Sequence, residues 1–247
     1  MPPKHHESSR PVVIVTGASG GIGHAVVQRL LDEDYVVGGW DVAPANLEKS
    51  GDPNLAVARV DVRDKKQIDG TVAALFERFG RIDGLVACAG VYQTMPFEDL
   101  DEATWDVTFD INLKGAFLAC QAVLPAMRRQ RRGSIVLLSS TLARIGAARG
   151  AHYAATKGGL LGLARSLALL AASDNVRVNA ISPGVTDTRM PREHASDADL
   201  EATARTIPLG RIGRPQDMAE AALFLLQHDS SFVTGQDLRV NGGALIF

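Results

Sequence analysis

The chain has little cysteine. Cys88 and Cys120 are its only two among 247 residues, too few for a convincing disulfide framework, which points to a reducing, cytoplasmic setting. An excess of either charge is also lacking: 26 Lys and Arg stand against 28 Asp and Glu, a formal net charge of −2. That leaves no basic footprint for nucleic acid. The densest basic cluster, Arg128, Arg129, Arg131 and Arg132, sits where a helix should end, and cations there complement the helix dipole. The most apolar stretch, GGLLGLARSLALLAA, is interrupted by Arg165 and too short to span a bilayer. Residues 1–10, MPPKHHESSR, lack the apolar core of a signal peptide. They read as a disordered tail, with His5 and His6 as tail residues rather than metal ligands. Neither a linker nor a repeat divides residues 11–247, so one domain with a large core is expected.

What the chain does have is rhythm. Strand-like segments near 11–16, 35–40, 55–60, 82–87, 133–139, 176–182 and 237–240 alternate with helical ones. Such alternation predicts an α/β fold, a Rossmann-type doubly wound parallel sheet of about seven strands with helices on both faces. Right-handed crossovers place ligands at the carboxyl ends of the strands. Gly17, Gly90, Ser140 and Pro183 all follow strand ends, so they can converge on one crevice. Residues 188–208, TRMPREHASDADLEATARTIP, break the rhythm as a polar insertion suited to a mobile lid.

Residues 11–23, PVVIVTGASGGIG, read as strand, glycine turn and helix start. A turn made of Gly17, Ser19, Gly20, Gly21, Ile22 and Gly23 lets backbone amides approach a pyrophosphate, and the following helix N-terminus favours negative charge. The next strand ends in Asp41, 24 residues beyond Gly17. A carboxylate there accepts hydrogen bonds from both ribose hydroxyls and repels a 2′-phosphate, which predicts NAD rather than NADP. Farther on, Tyr153 and Lys157 lie four residues apart on one helical face. A free phenol, with a pKa of about 10, is a poor base at neutral pH, and a nearby ammonium favours the phenolate. The pair makes sense as an acid/base for an alcohol or carbonyl. Ser140 precedes Tyr153 by 13 residues.

With TGASGGIG at 16–23 and Ser140, Tyr153 and Lys157 in order, the chain resembles the short-chain dehydrogenase/reductase family, in its single-domain branch of about this length. The resemblance runs from about residue 11 to 243 and includes INLKGAF, VRVNAIS before Pro183-Gly184, PLGRIGRPQDMAEAALFLL and TGQDLRVNGG. It implies a catalytic set of Asn112, Ser140, Tyr153 and Lys157. Tyr153 would exchange the proton, Ser140 would hold the reacting oxygen, Lys157 would also hold the nicotinamide ribose, and Asn112 would hold a water that relays protons. It further implies cofactor contacts at Asp61, Val62, Ala89, Gly90, Pro183, Gly184, Val185 and Thr188, and a substrate loop in the polar insertion. Tyr92, Gln93 and Leu142 are expected to line the substrate end. One departure stands out: Ala87-Cys88-Ala89-Gly90 replaces the family's usual Asn-Asn-Ala-Gly, without the amides that brace the central strand. The family's subunit contacts imply a homodimer or homotetramer.

The functional expectation is an NAD-dependent oxidoreductase acting on a secondary alcohol or ketone, with no metal, nucleic acid or membrane involved. An NADPH-dependent 3-oxoacyl thioester reductase is the alternative; Asp41, and the lack of a basic residue at Ser19 or Gly20, speak for NAD. A non-catalytic dinucleotide sensor is a third reading, which the complete catalytic set disfavours.

Overall fold

The structure is a computed structural model that describes residues 10–246. The tail read at residues 1–10 lies outside the described residues except for Arg10. Seven strands form one parallel sheet: β1 (Val12–Thr16), β2 (Val36–Asp41), β3 (Leu55–Arg59), β4 (Gly84–Ala87), β5 (Gly133–Leu138), β6 (Val176–Pro183) and β7 (Asp237–Val240), in the order β3-β2-β1-β4-β5-β6-β7. The expected strands are all present, with ends shifted by one or two residues, the usual scatter of fraying termini.

Parallel strands buried on both sides read as continuous apolar runs, and β1 is buried at every position. Side chains alternate across it. Val12 and Ile14 enter one apolar cluster; Val13 and Val15 enter the other. The first cluster is covered by α2 (Lys65–Phe79), α4 (Gly115–Gln130) and α5 (Ala151–Ala171). The second is covered by α1 (Gly21–Asp32) and α7 (Pro215–Leu226). Fully buried Ile14, Leu30, Leu85 and Ile135 each contribute roughly 1.5–3 kcal/mol of burial energy. Helix α3 (Glu102–Phe109) runs through a π turn at Asp110–Lys114 into α4. The stretch Glu102–Gln130 is apolar and long enough to cross a membrane by length and composition alone, but half of its apolar window is buried inside this fold.

Sheet growth reverses beside β1. The chain lays β2 and β3 to one side of it, then returns to place β4 on the other, pairing Thr16 with Ala87. At such a switch point the loops leaving adjacent strands part and open a crevice at their carboxyl ends. The polar insertion is a short turn, Arg189–Arg192, followed by helix α6 (Asp197–Thr206). A capping box starts α6, with the Ser196 hydroxyl and the Asp199 carboxylate each answering the other's backbone N–H.

Candidate active site

The loop after β1 turns at Gly17, whose φ of 64° suits glycine. A side chain there would also collide with the neighbouring strand end: a Cβ would stand 2.7 Å from the Ala89 Cα. Gly20 precedes α1, no side chain caps that helix, and no acidic residue occupies its first turn. Its leading amides are thus left to an anion. Ile22 and Gly23 form this first turn. Thr188 rests on the loop: a Cβ on Gly21 would meet its methyl at 2.6 Å. At the end of β2, Asp41 accepts from the Ser19 N–H through Oδ2 and the Ala43 N–H through Oδ1, both at 3.0 Å. Each carboxylate oxygen retains a lone pair for a ribose hydroxyl. Asp61 is clamped by Arg63, with Nε at 3.0 Å from Oδ1, and that hydrogen bond holds the carboxyl below its ordinary range. Val62 is buried against Gly115.

The catalytic candidates converge on the far side of this crevice. Ser139 and Ser140 both follow β5, and their bonding separates them. The Ser139 hydroxyl is buried and donates to the Lys157 carbonyl at 2.8 Å. Ser140 instead accepts from the Leu142 N–H at 3.1 Å, and its hydroxyl acts on the Tyr153 phenol, drawing its pKa down. Ser140 is therefore the serine that faces the phenol. Lys157 lies one turn beyond Tyr153 on α5. Its Nζ is 5.4 Å from the Tyr153 ring centroid and donates to the Leu138 carbonyl at 2.7 Å. Gly90 faces both this ammonium and the Asn112 Oδ1, each 3.4 Å from where a Cβ would stand.

The electrostatics differ from the expected pattern. Burial pushes the Tyr153 phenol up to about 12, the Ser140 hydrogen bond pulls it down, and Tyr92 pushes it up. Burial also brings Lys157 down to about 8, against a raising influence of Cys88. The lysine spends its proton on a main-chain carbonyl, and desolvation outweighs what a charge at that distance offers the phenol. Tyr153 is consequently a proton-loaded acid at neutral pH.

Asn112 is wholly buried in the π turn. Its Oδ1 accepts from the Val91 N–H at 2.8 Å, and its Nδ2 donates to the Val91 carbonyl at 2.9 Å and to Thr156 Oγ1 at 3.3 Å. The amide braces the loop after β4. Thr16 adds to the brace, its carbonyl accepting from the Cys88 N–H and its hydroxyl from the Ala89 N–H, both at 3.2 Å. Part of Cys88 reaches the surface, and burial pushes its thiol up to about 12 against a lowering influence of Lys157.

Pro183 ends β6, and its carbonyl accepts from the Thr141 N–H at 3.0 Å; the Gly184 N–H donates to Val240 at 3.0 Å. Val185 is partly exposed beside them. At the substrate end, the Tyr92 ring lies on the Tyr153 ring with centroids 4.5 Å apart. Leu142 lies two residues beyond Ser140 and donates its N–H to that hydroxyl, and Gln93 is exposed. His152 is fully buried without a hydrogen-bond partner for either ring nitrogen, and burial lowers its pKa while the nearby Gln93 backbone pulls the other way. It is a neutral core histidine. Sequence reasoning missed His194, whose imidazole meets the Tyr92 ring edge-on at 5.6 Å. It also missed the Arg63 clamp. No local pattern signals either contact. No cluster of three or more His, Cys, Asp or Glu suited to a metal occurs among the described residues.

These groups suit a dinucleotide: a glycine turn with an uncapped helix, an acceptor where a ribose would lie, and a phenol, hydroxyl and ammonium at the opposite strand ends. Comparison with known proteins agrees. A family model described as enoyl-(acyl carrier protein) reductase matches residues 17–244. The 3-oxoacyl-(acyl-carrier-protein) reductase of Thermotoga maritima is 38% identical over 241 residues, covering 95% of this chain and 98% of that protein. The cis-4-hydroxycyclohexanecarboxylate dehydrogenase of Sinomonas cyclohexanicum is 40% identical over 245 residues, covering 94% and 95%. The ligand-free structure of Thermoplasma acidophilum aldohexose dehydrogenase superposes with a TM-score of 0.89 at 32% identity, covering 95% of this chain and 94% of that one. The sheet order, the ordered motifs and these matches together show that the chain belongs to the short-chain dehydrogenase/reductase family of oxidoreductases.

Proposed function

We infer that the chain moves a hydride reversibly between a secondary alcohol and its ketone, with NAD(H) rather than NADP(H) as the carrier. The observation that carries this reading is the buried cluster of Ser140, Tyr153 and Lys157, with the Lys157 Nζ 5.4 Å from the Tyr153 ring centroid, at the strand ends that face the glycine turn. The glycine turn and α1 would hold the pyrophosphate, Asp41 the adenosine ribose, and Lys157 the nicotinamide ribose. The bound nicotinamide would supply or take the hydride. Ser140 fixes the reacting oxygen beside Tyr153. In reduction, Tyr153 gives that oxygen a proton; in oxidation it removes one. Asp41 supports NAD(H), because its negative charge opposes a 2′-phosphate.

Two observations favour reduction of a 3-oxoacyl thioester as the substrate chemistry. One is the name of the Thermotoga relative. The other is the raised Tyr153 pKa, which keeps a proton ready for a carbonyl oxygen. The Sinomonas relative is named for a hydroxy acid and the Thermoplasma one for a sugar, so a free secondary alcohol fits as well. Arg144, Arg189 and Arg192 are paired with Asp237, Glu193 and Asp187. They offer little to an anionic substrate. Exposed Leu169 and Leu170 on α5 and Phe117 on α4 support a homo-oligomer, and a cytoplasmic location goes with this reading.

The test is a panel of 3-oxoacyl thioesters, hydroxy acids, cyclic alcohols and aldoses, followed at the reduced-nicotinamide absorbance with each cofactor. Turnover with NADH well above NADPH supports the reading. A tenfold preference for NADPH removes the Asp41 argument, and no turnover with any substrate removes the catalytic one.

A further inference from the structure

Tyr92 is held on three sides. Its ring lies against Tyr153 at 4.5 Å between centroids, tilted by 43°. Its back fills the space left by Gly150, where a Cβ would stand 2.6 Å from the Tyr92 Cε2 and 2.9 Å from its hydroxyl. Its third side takes the edge of His194, at 5.6 Å and 75°. His194 belongs to the polar insertion, 102 residues farther along the chain. The same imidazole places Nε2 3.1 Å from the Tyr92 carbonyl and Nδ1 3.4 Å from Thr94 Oγ1. A carbonyl only accepts, so Nε2 carries a proton and donates it, while Nδ1 shares a hydrogen bond with the Thr94 hydroxyl.

The other polar side-chain contacts of the insertion behave differently. Arg189 pairs with Glu193, and Arg192 with Asp187 and Asp197. Ser196 bonds Asp199, and the Thr203 hydroxyl bonds the Asp199 carbonyl. These staple the segment to itself. His194 instead reaches across the cleft to the loop that Asn112 braces.

We propose that His194 is a positioning residue: its imidazole docks the insertion onto Tyr92 and so holds the Tyr92 ring against the Tyr153 acid/base. The insertion is then a lid whose closure is sensed at the phenol. This inference rests on the hydride-transfer reading above. An exposed imidazole with two neutral hydrogen bonds supplies a modest bias, suited to a lid that must open for each turnover.

The test combines kinetics with a readout that needs no turnover. Wild type, His194→Ala, His194→Gln, Tyr92→Ala and the double variant His194→Ala/Tyr92→Ala are assayed on one accepted ketone, and NADH affinity is read by fluorescence. His194→Ala should lower kcat/KM about fivefold to tenfold with NADH affinity and Tm unchanged. His194→Gln, which can offer both a donor and an acceptor, should recover part of the loss. In the Tyr92→Ala background the His194 change should add nothing, since coupled residues are not additive. Trypsin should cut after Arg192 several times faster in His194→Ala than in wild type. Wild-type kinetics and cleavage in His194→Ala, or losses that simply multiply in the double variant, overturn the proposal. If wild type reduces no ketone, the hydride-transfer reading fails, while equal or unequal cleavage rates still decide whether His194 holds the lid.

Discussion

The dinucleotide end and the substrate end of the crevice are made from different materials. From Val12 to Gly23 the work falls to backbone: a wholly buried strand, a glycine at φ 64°, and the amides opening α1. At the other end, loop 91–96 and the 188–208 insertion are partly exposed and held largely by side chains, among them Arg–carboxylate pairs, the Asn112 amide and one imidazole. Close-packed backbone tolerates almost no added volume, whereas exposed ion pairs each contribute about 0–1 kcal/mol. One end is thus rigid and unforgiving, the other adjustable, which suits a family with a common cofactor and many substrates.

The largest expected effect belongs to the hinge between the two ends. Tyr153→Phe should cost roughly 10²–10⁴ in kcat while dinucleotide affinity, measured by titration, persists; near-normal turnover would remove Tyr153 from its role. Gly17→Ala comes next. It forces a side chain into a left-handed conformation and a 2.7 Å approach, so NADH affinity should collapse and stability fall by roughly 1–3 kcal/mol. Wild-type affinity would show that the rigid end is softer than described. Asp41→Ser should narrow the NAD over NADP ratio about tenfold, read as kcat/KM with each cofactor. At the adjustable end, Arg192→Ala removes two exposed pairs and should shift Tm by no more than a few degrees, with at most a small rise in KM. A collapse of Tm there would erase the contrast.

A pH profile sharpens the same comparison. Lys157, held at about 8 instead of 10.5, is bound more tightly by a proton in the unfolded chain, so its contribution to stability rises with pH between about 8 and 10.5. Tyr153, raised to about 12 from 10.0, binds its proton more tightly when folded, and its contribution falls as pH climbs from 10 toward 12. If the ammonium is what holds the nicotinamide ribose, kcat/KM for reduction should decline as pH passes about 8. A flat profile from pH 7 to 9 would show that the charge of Lys157 is dispensable.

The contrast also explains what could be read from the sequence. Backbone-built features leave local marks. The β-branched run at 12–15, the glycines at 17–23 and the four-residue step from Tyr153 to Lys157 are visible because their partners are close in the chain or repeat with a structural period. Side-chain contacts across the cleft leave none. Nothing near residue 194 signals Tyr92, and nothing in INLKGAF signals that Asn112 would close on both polar groups of Val91. The order of Tyr153 and Lys157 was legible, but the direction of the phenol's pKa was not. That direction depends on how deeply α5 is covered, a property of the assembled layers and not of a four-residue spacing.

Thr188 ties the two ends together. It begins the insertion, and its methyl occupies the space above Gly21 where any larger residue would have to put its first carbon. On the proposed reading, the substrate lid and the phosphate-binding turn therefore meet at one methyl group. Enlarging residue 21 by even a methyl group would push on the root of the insertion, so a change made wholly within the glycine turn would be felt in the proposed lid.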